Sequence, residues 1–308
     1  MRAHRGKSAS RVRMGVIMVR TFSELTKVHP CFSVGEKVNK GRVHLPVSPG
    51  CNIFCRFCDR KINDIDIRPG VASAIISPQE AVEVVRRAIA LCPDITVAGV
   101  AGPGDTLATP YALQTFRLLK KEFPNIIKCM STNGLLLPEY ADQIIDVGID
   151  TLTVTVNSVD PLIQANICSG IVYHGKRYEG KEAAEILIHN QITGIKMAAQ
   201  TGITVKVNTV LIPEINAEHI ETVAKTVSEA GAQIYNIIPL IPQHELAWCS
   251  APDCALIGNI RSKAEAYIHV FRHCQRCRAD AAGIPGGEDF SRQIYIRPIK
   301  QENTFSHG

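Results

Sequence analysis

Hydrophobic and polar positions follow two alternating patterns along most of the chain. From about residue 77, amphipathic segments with apolar residues at helical spacing alternate with short, nearly continuous runs of β-branched residues. Residues 77–92 begin the series with an N-cap serine, a proline in the first turn and a glutamate three residues after the cap. Uninterrupted apolar runs are typical of parallel strands that are buried on both faces.

The repeat predicts an α/β fold, a partial (β/α)6 TIM-like barrel with N- and C-terminal extensions over its mouth. We expect a basic, disordered tail at residues 1–28, the barrel at 29–245, and an extension at 246–308 that carries a Cys-x-x-Cys motif. The predicted strands are residues 41–49, 94–107, 125–134, 149–160, 203–213 and 232–242. The predicted helices are residues 77–92, 111–124, 138–148, 182–202 and 217–231.

Charge and hydropathy restrict the classes of partner. The chain has 34 Lys and Arg against 29 Asp and Glu, a net charge of +5, and much of the excess lies in the first twenty residues. We therefore expect no nucleic-acid surface. No apolar run approaches the roughly 20 residues of a membrane span, and the apolar stretch at 14–19 is shorter than the core of a signal peptide. We expect a cytoplasmic protein without a membrane partner.

Cysteine is the unusual component of the composition. The chain has 11 cysteines, and in a reducing compartment clustered thiols are typical of metal or cluster ligands. Cys51, Cys55 and Cys58 stand in a C-x₃-C-x₂-C spacing directly after the first predicted strand. Three thiolates can hold three corners of a four-iron cluster and leave the fourth iron open for a substrate. A structural zinc loop is the alternative.

This spacing, with Phe57 before the last cysteine, closely resembles the signature of the radical S-adenosylmethionine (SAM) superfamily. The resemblance implies that the open iron chelates the amino and carboxylate groups of SAM. One electron then cleaves the C–S bond and gives a 5′-deoxyadenosyl radical. Candidate SAM contacts are Gly102, Gly104 and Asp105 for the amino group, Ser131 or Thr132 for the carboxylate, and Asn157 and Asn208 for the ribose; each is alternatively a capping or turn residue.

Other potential ligands lie outside this loop. Cys274 and Cys277 form a Cys-x-x-Cys pair that fits redox, zinc or cluster chemistry. Cys31 and Cys129 stand alone. His44 lies on the first predicted strand, where a single histidine is by itself more often a core residue.

Several stretches, among them HPCFS, GRVHLPVSPGCNIFCRFCDRK, VAGPGD, STNG and HCQRCRADAAG, together resemble the NifB family of nitrogenase cofactor maturases over about residues 29–290. The resemblance implies a carbide synthase that fuses two auxiliary four-iron clusters into an eight-iron, carbide-centred precursor. One SAM donates a methyl group to a cluster sulfide, and a second yields the radical that abstracts hydrogen from it. Implied partners are an iron–sulfur cluster donor, an electron donor and a cofactor carrier or scaffold protein. The implied cofactors are SAM, the four-iron cluster that cleaves it, and one or two auxiliary four-iron clusters, with the auxiliary ligands Cys31, His44, Cys129, Cys274 and Cys277.

One position departs from the family pattern. Where the family carries a further cysteine, this chain has INDID at residues 62–66, which is one residue shorter and has no thiol. Asp64 or Asp66 could bind iron, but weakly, because a carboxylate is a hard oxygen donor. Cys249 and Cys254 could compensate if the C-terminal extension folds back over the rim, or could be plain small residues. Cys92 and Cys168 have no assigned role.

Three functions follow from these alternatives. The first is the maturase, whose substrate is an iron–sulfur cluster, and this is the function we expect. The second is a radical enzyme that acts on another small molecule or on a peptide, which only the absent cysteine favours. The third is a non-enzymatic iron–sulfur scaffold, which the intact three-cysteine motif argues against because a carrier needs no SAM site.

Overall fold

The structure is a computed structural model that describes residues 20–296 of the 308-residue chain. Residues 1–19 of the predicted tail lie outside the described residues. The remainder of the tail differs from the prediction, because Phe22–Val28 forms a helix with a complete capping box between Thr21 and Glu24. The Thr-x-x-Glu spacing is the sequence signal for this helix start.

Short strands and longer helices alternate along the chain, as the hydrophobic pattern predicts. The strands are β1 (Gly41–His44), β2 (Ile53–Cys55), β3 (Lys61–Ile62), β4 (Val71–Ala72), β5 (Ile95–Val100), β6 (Ile127–Thr132), β7 (Thr151–Thr155), β8 (Cys168–Tyr173), β9 (Lys176–Glu179), β10 (Thr204–Leu211), β11 (Ile234–Pro239), β12 (His269–Val270) and β13 (Ala282–Gly283). The helices are α1 (Phe22–Val28), α2 (Pro78–Leu91), α3 (Tyr111–Glu122), α4 (Leu137–Asp146), α5 (Pro161–Ile167), α6 (Gly180–Gln200), α7 (Ile220–Glu229), α8 (Cys254–Ala264) and α9 (Ser291–Ile294). None of the helices within residues 20–296 is long and apolar enough to cross a membrane.

A mostly parallel sheet of eight strands forms the centre of the fold. Its order is β12-β11-β10-β7-β6-β5-β1-β13. All neighbours in this order are parallel except β13, which pairs antiparallel with β1 at one edge. The predicted partial TIM-like barrel is therefore confirmed.

Two parts of the chain differ from the simple repeat. After β7, the chain forms α5 and the β8–β9 hairpin before the predicted helix α6, and β2 joins this hairpin in a separate three-stranded sheet. β9 is largely exposed, so it lacks the apolar run of a barrel strand. In the predicted C-terminal extension, β12 and β13 belong to the barrel sheet. Strands of two residues are too short to produce a recognisable apolar run.

The two faces of the sheet bury different kinds of residue. On the outward face, Val43 and Met130 belong to the main hydrophobic core between the sheet and the helices. Because side chains alternate across a strand, their chain neighbours His44 and Cys129 face the barrel interior. The barrel interior is therefore lined by polar residues and thiols, whereas the outer face of the sheet is apolar.

The amino ends of the strands are covered by α1 and by the residues that follow it. Leu25 packs against Val97 and Ile127. Phe32 packs against Ile234 and lies in the same apolar cluster as Cys31 and Cys129. The carboxyl ends of the strands carry the loops in which the sequence places its candidate residues.

Candidate functional site

The loop that carries the three-cysteine motif, residues 51–58, follows β1 and is called the rim loop below. Cys51 is buried, and Cys55 and Cys58 are half-buried. Part of the loop is extended, because β2 pairs antiparallel with β8 and sets Cys55 opposite Cys168. The Cys58 N–H donates to the carbonyl of Cys55 over 3.0 Å, which forms a tight turn between these two thiols.

The electrostatic environment of the rim loop shows that its three thiols lie close together. Burial raises the pKa of Cys51 to about 11, and the neighbouring charge of Asp105 adds to the rise while Arg60 opposes it. Burial also raises the pKa of Cys58, again opposed by Arg60. The side chain of Arg60 interacts with all three thiols and is hydrogen-bonded to Cys51. A cation beside three thiols favours their thiolate forms, the forms that bind metal.

This donor set fits a four-iron cluster. Within the described part of the chain, no three side chains of His, Cys, Asp or Glu converge closely enough to hold a single metal ion. In a four-iron cluster each cysteine binds a different iron, so the three thiolates stand further apart than the ligands of one ion. Soft thiolates are also the ligands that iron–sulfur clusters prefer. The structural zinc loop, the alternative from the sequence, would instead need four ligands around one ion.

The glycine turn after β5 is packed directly against the start of the rim loop. A Cβ atom added to Gly104 would lie 1.9 Å from the carbonyl oxygen of Gly50, so only glycine fits there. The Gly104 N–H donates to the carbonyl of Ser48 and the Asp105 N–H to that of Gly50, each over 2.7 Å. Gly102, at φ +124°, begins the turn. This turn therefore supports the rim loop through its backbone, and a direct contact with SAM stays a prediction.

The carboxylate of Asp105 joins the ends of β5 and β6. It accepts hydrogen bonds from the N–H of Leu107 (2.9 Å), the hydroxyl of Thr132 (3.0 Å) and the N–H of Asn133 (2.6 Å). Asn133 in turn donates from Nδ2 to Oδ1 of Asn52 over 2.7 Å, and this nitrogen lies 3.8 Å from the Sγ of Cys51. Asp105 and Thr132 thus belong to a hydrogen-bond network behind Cys51, and their direct contacts with SAM stay predictions.

The remaining predicted SAM residues lie at the same end of the barrel. The carbonyl of Ser131 accepts a hydrogen bond from Thr106. Oδ1 of Asn157 accepts from the N–H of Val210 over 2.9 Å, so this side chain links β7 to β10. Oδ1 of Asn208 accepts from Nδ2 of Asn236 over 3.0 Å. Their contacts with the ribose and the carboxylate stay predictions.

A second set of potential ligands lies deeper in the barrel, and we call it the thiol chamber: Cys31, His44, Cys129, Cys274 and Cys277. Strand register places His44, Gly99 and Cys129 side by side on β1, β5 and β6. The Cβ of Cys129 and the Cδ2 of His44 would each lie 3.6 Å from a Cβ at Gly99, so the glycine leaves room between them. Cys31 interacts electrostatically with both Cys129 and Cys277.

The Cys-x-x-Cys segment, which comes from the C-terminal part of the chain, completes the thiol chamber. Nδ2 of Asn236 lies 3.3 Å from the Sγ of Cys274, and Nη2 of Arg42 lies 3.1 Å from the Sγ of Cys277. The structure therefore brings together all five residues that the family resemblance implies as auxiliary ligands, from four separate segments of the chain.

The imidazole of His44 is held in a form that can bind metal. Its Nδ1 lies 3.0 Å from the carbonyl oxygen of Arg278, and because a carbonyl only accepts, Nδ1 carries the proton. The lone pair is then on Nε2. Burial and, to a smaller extent, the charge of Arg42 lower the pKa of His44 to about 4, so the ring is neutral near pH 7.

The INDID segment lies beside the thiol chamber. The guanidinium of Arg278, next to Cys277, donates to the backbone carbonyls of Asn63 (2.8 Å) and Asp66 (2.7 Å). The carboxylate of Asp66 is paired with Arg68 at 3.3 Å. Asp64 is half-buried and is the better placed of the two candidate carboxylates because Asp66 already has a cationic partner.

The other cysteines occupy different environments. Cys249 is buried in a small apolar cluster with Ile212 and Leu240, and Cys254 begins the outer helix α8, so neither compensates in the thiol chamber for the absent thiol. Cys92 ends α2 in the outer core. The sequence predicts no role for Cys168, and in the structure it is hydrogen-bonded to Cys55 across the β2–β8 pair.

Sequence reasoning missed two buried cations, Arg42 and Lys206. Both lie within strands that are otherwise apolar, and both side chains reach the thiol chamber. The sequence did contain a signal for these two residues, namely a charged side chain within an apolar strand. A lysine or arginine inside a buried strand is rare unless it is paired, so each position indicates an interaction partner.

Comparisons with known proteins agree with these features. The Radical SAM superfamily profile matches residues 45–227. The chain is 42% identical over 286 residues to the FeMo cofactor biosynthesis protein NifB of Methanocaldococcus infernus, which covers 92% of this chain and 94% of that protein. It is likewise 42% identical over 288 residues to the protein of the same name from Methanocaldococcus jannaschii, with coverage of 92% and 95%.

A crystal structure of a radical SAM methyltransferase from Sphaerobacter thermophilus has a similar fold. The TM-score is 0.57 at 19% identity, over 77% of this chain and 67% of that chain. This likeness concerns the fold alone, whereas the sequence identity to the two relatives extends over nearly their whole lengths. The chain therefore belongs to the NifB family of FeMo cofactor biosynthesis proteins, within the radical SAM superfamily.

Proposed function

We propose that this chain joins two four-iron clusters, with insertion of a carbide, into the eight-iron precursor of the nitrogenase cofactor. In this proposal the two clusters are substrates. One SAM contributes the carbon as a methyl group, and a second contributes the radical that removes hydrogen from that carbon. Membership of the NifB family supports FeMo cofactor biosynthesis, and the carbide synthase chemistry is the finer step that we propose.

The observation that carries the proposal is the presence of two sets of soft ligands in one barrel. The rim loop lies at the carboxyl end of the strands, and the thiol chamber lies below it, around β1, β6 and the Cys-x-x-Cys segment. Cleavage of SAM needs the first set only. A second set of four thiols and one neutral imidazole fits substrates that are themselves iron–sulfur clusters.

The rim loop would hold the four-iron cluster and SAM that the radical SAM superfamily requires. When bound, this cluster supplies the electron that cleaves the C–S bond of SAM. The protein's own contribution is to fix the ligands, through Asp105 and Asn133 behind Cys51 and through Arg60 beside all three thiols. Because burial raises the pKa of Cys51 to about 11, cluster binding near neutral pH displaces a proton from this thiol.

The thiol chamber would hold the substrate clusters until they are joined. Within it, His44 differs from the four cysteines because it is a neutral ligand whose Nε2 carries the lone pair. A neutral imidazole should leave iron more readily than a thiolate does, which suits a cluster that must rearrange.

The proposal requires other proteins. An iron–sulfur cluster donor would load the thiol chamber, an electron donor would reduce the rim cluster, and a carrier or scaffold protein would accept the product. A second candidate function, a radical enzyme that acts on a small molecule or a peptide, is favoured by the carboxylates that replace the family's thiol at residues 62–66.

Iron content and electron paramagnetic resonance after anaerobic reconstitution test the proposal. We expect roughly twelve irons per chain, in three four-iron clusters, and one signal that shifts when SAM is added. The double variant C274A/C277A should lose about four irons or more and still form 5′-deoxyadenosine under dithionite. C92A, which removes a buried thiol of the outer core, is the matched control. A wild-type protein that binds only about four irons would contradict the proposal and favour the second candidate.

A further inference from the structure

Lys206 is a buried cation in an unusual position. It lies on β10, its side chain faces the barrel interior, and it is 6% exposed. Its Nζ donates to the carbonyl of Cys31 over 3.0 Å and lies 4.6 Å and 5.4 Å from the ring centroids of Phe32 and Phe271. No carboxylate among residues 20–296 forms a salt bridge with it.

A second buried cation, Arg42, lies on the other side of the thiol chamber and is 5% exposed. Nη1 donates to the carbonyl of Gly283 over 2.6 Å, and Nη2 contacts the Sγ of Cys277 at 3.1 Å. Its Nε is buried, and no group among residues 20–296 accepts a hydrogen bond from it. Two positive charges are therefore enclosed with four thiols, and one of them has a donor without a partner in the described part of the chain.

Burying a charge without a counter-charge is unfavourable, because the protein interior solvates an ion less well than water does. One carbonyl and two aromatic faces compensate Lys206 only in part. Lys206 is held beside the thiol chamber by its 3.0 Å hydrogen bond to the carbonyl of Cys31, and Arg42 by its 3.1 Å contact with the Sγ of Cys277. The arrangement becomes favourable when an anion occupies the chamber between these two cations.

We propose that Lys206, assisted by Arg42, is the charge-matching residue of the thiol chamber, which makes the chamber complementary to an anionic, thiolate-bound iron–sulfur cluster. This inference rests on the proposed function, because the chamber must receive substrate clusters. An oxidised four-iron, four-sulfide core is a dication and each thiolate brings one negative charge, so a cluster held by three of the chamber thiolates is an anion, and its reduction adds a further negative charge. Lys206 therefore costs stability in the empty protein and stabilises the loaded one.

The same charge affects the chemistry of the cluster. The net charge of the surroundings contributes to the reduction potential of an iron–sulfur cluster. A nearby ammonium favours the reduced form, which carries one more negative charge. Lys206 is thus a positioning residue that acts on the substrate cluster through charge, not through an iron–ligand bond.

The test compares K206M, which keeps the length and the apolar stem, with K206R, which keeps the charge. K128M is the matched control: Lys128 is equally buried, lies on β6 and points away from the chamber, where its Nζ is 3.7 Å from Asp150. Asp150 keeps its 2.7 Å ion pair with Arg20 in that control. All four proteins are reconstituted anaerobically, and their iron content, auxiliary-cluster potentials and empty-state melting temperatures are measured.

K206M should bind about four fewer irons than the wild type. Where K206M stays loaded, the potential of its auxiliary cluster should fall by about 59 mV or more, a tenfold change in the ratio of oxidised to reduced cluster. The empty K206M protein should melt higher by about 3 °C or more, because an apolar side chain replaces an unpaired buried charge. K206R and K128M should bind iron and titrate like the wild type.

Two outcomes separate the possible failures. If the wild type and K206M both load fully with the same potentials, the role of Lys206 is wrong and the proposed function stands. If the wild type itself binds only the rim cluster, the proposed function is wrong and the charge-matching role fails with it. An empty K206M protein that melts lower than the wild type would also overturn the inference, since Lys206 would then be an ordinary stabilising residue.

Discussion

The rim loop and the thiol chamber are both cysteine sites, but the chain builds them in opposite ways. The three rim thiols come from eight consecutive residues, and the backbone just before them, at Ser48 and Gly50, accepts hydrogen bonds from the adjacent glycine turn. The thiol chamber takes its five candidate ligands from four segments, which only the barrel brings together. A site of the first kind depends on local geometry, whereas a site of the second kind depends on strand register and on the charges enclosed with it.

The largest effect should come from breaking the rim loop. Replacing any one of Cys51, Cys55 or Cys58 with alanine removes one of three ligands, so we expect the formation of 5′-deoxyadenosine to fall to background. The measurement is SAM cleavage by reconstituted protein under dithionite. C92A should cleave SAM like the wild type. A rim variant that still cleaves SAM would show that the radical chemistry does not depend on this loop.

A backbone change beneath the rim should have the next largest effect. G104A places a Cβ 1.9 Å from the Gly50 carbonyl, so we expect it to destabilise the protein by about 3 kcal/mol, at the upper end of overpacking costs. The control is G258A, within α8, where an added Cβ meets no atom within 4 Å. Alanine in a helix should stabilise by about 1 kcal/mol there. Urea denaturation measures both variants, and the unfolding midpoint should fall for G104A and rise for G258A. A shift of both midpoints in the same direction would contradict the expected clash at Gly104.

The stability of the empty protein should depend on pH through the chamber. The folded-state pKa of His44, about 4, lies below the usual value of 6.5, so the unfolded chain binds a proton first as the pH falls. The stabilisation is complete above pH 6.5 and is lost as the pH falls toward 4, by at most roughly 3 kcal/mol. Burial also lowers the pKa of His29, which adds to the loss. H44Q should lose less stability between pH 7 and 4.5 in urea titrations, and an unchanged pH slope would argue against the buried neutral ring.

The smallest effect should come from restoring a thiol to the chamber. D64C puts a soft ligand where the chain has a hard one, so we expect a modest increase in the iron retained after gel filtration, of less than one cluster per chain. D64N tests the carboxylate itself and should lower iron retention only if Asp64 is a ligand. Equal iron content in both variants and the wild type would mean that residue 64 does not face the auxiliary clusters.

The sequence predicts features that depend on neighbouring residues, such as the rim loop, better than features that depend on long-range packing, such as the thiol chamber. The apolar runs of β5, β7 and β10 and the capping signals of α2 are local, and they predicted the barrel correctly. The C-x₃-C-x₂-C spacing is also local. The β8–β9 hairpin was missed because its strands are stabilised by pairing with β2, a distant segment that carries no signal for it.

The chamber could be reached from the sequence only through family resemblance. Nothing near Cys31 indicates that it lies beside Cys277, because the contact depends on α1 turning back across the strand ends. Lys206 shows the limit most clearly: the alternation of β10 places it on the inner face, but its neighbours Phe32 and Phe271 are brought by other parts of the chain. Local physics predicts the elements, and long-range packing determines what each side chain meets.

Helix α1 and the residues that follow it affect how molecules can enter the barrel. Leu25 and Phe32 pack across the amino ends of the strands and cover that end of the barrel. Under the proposed function, clusters would reach the thiol chamber from the end opposite α1, past the rim loop. Under the proposed function, a cluster would therefore be loaded before SAM binds and released after SAM has left, because SAM at the rim loop would lie across this path.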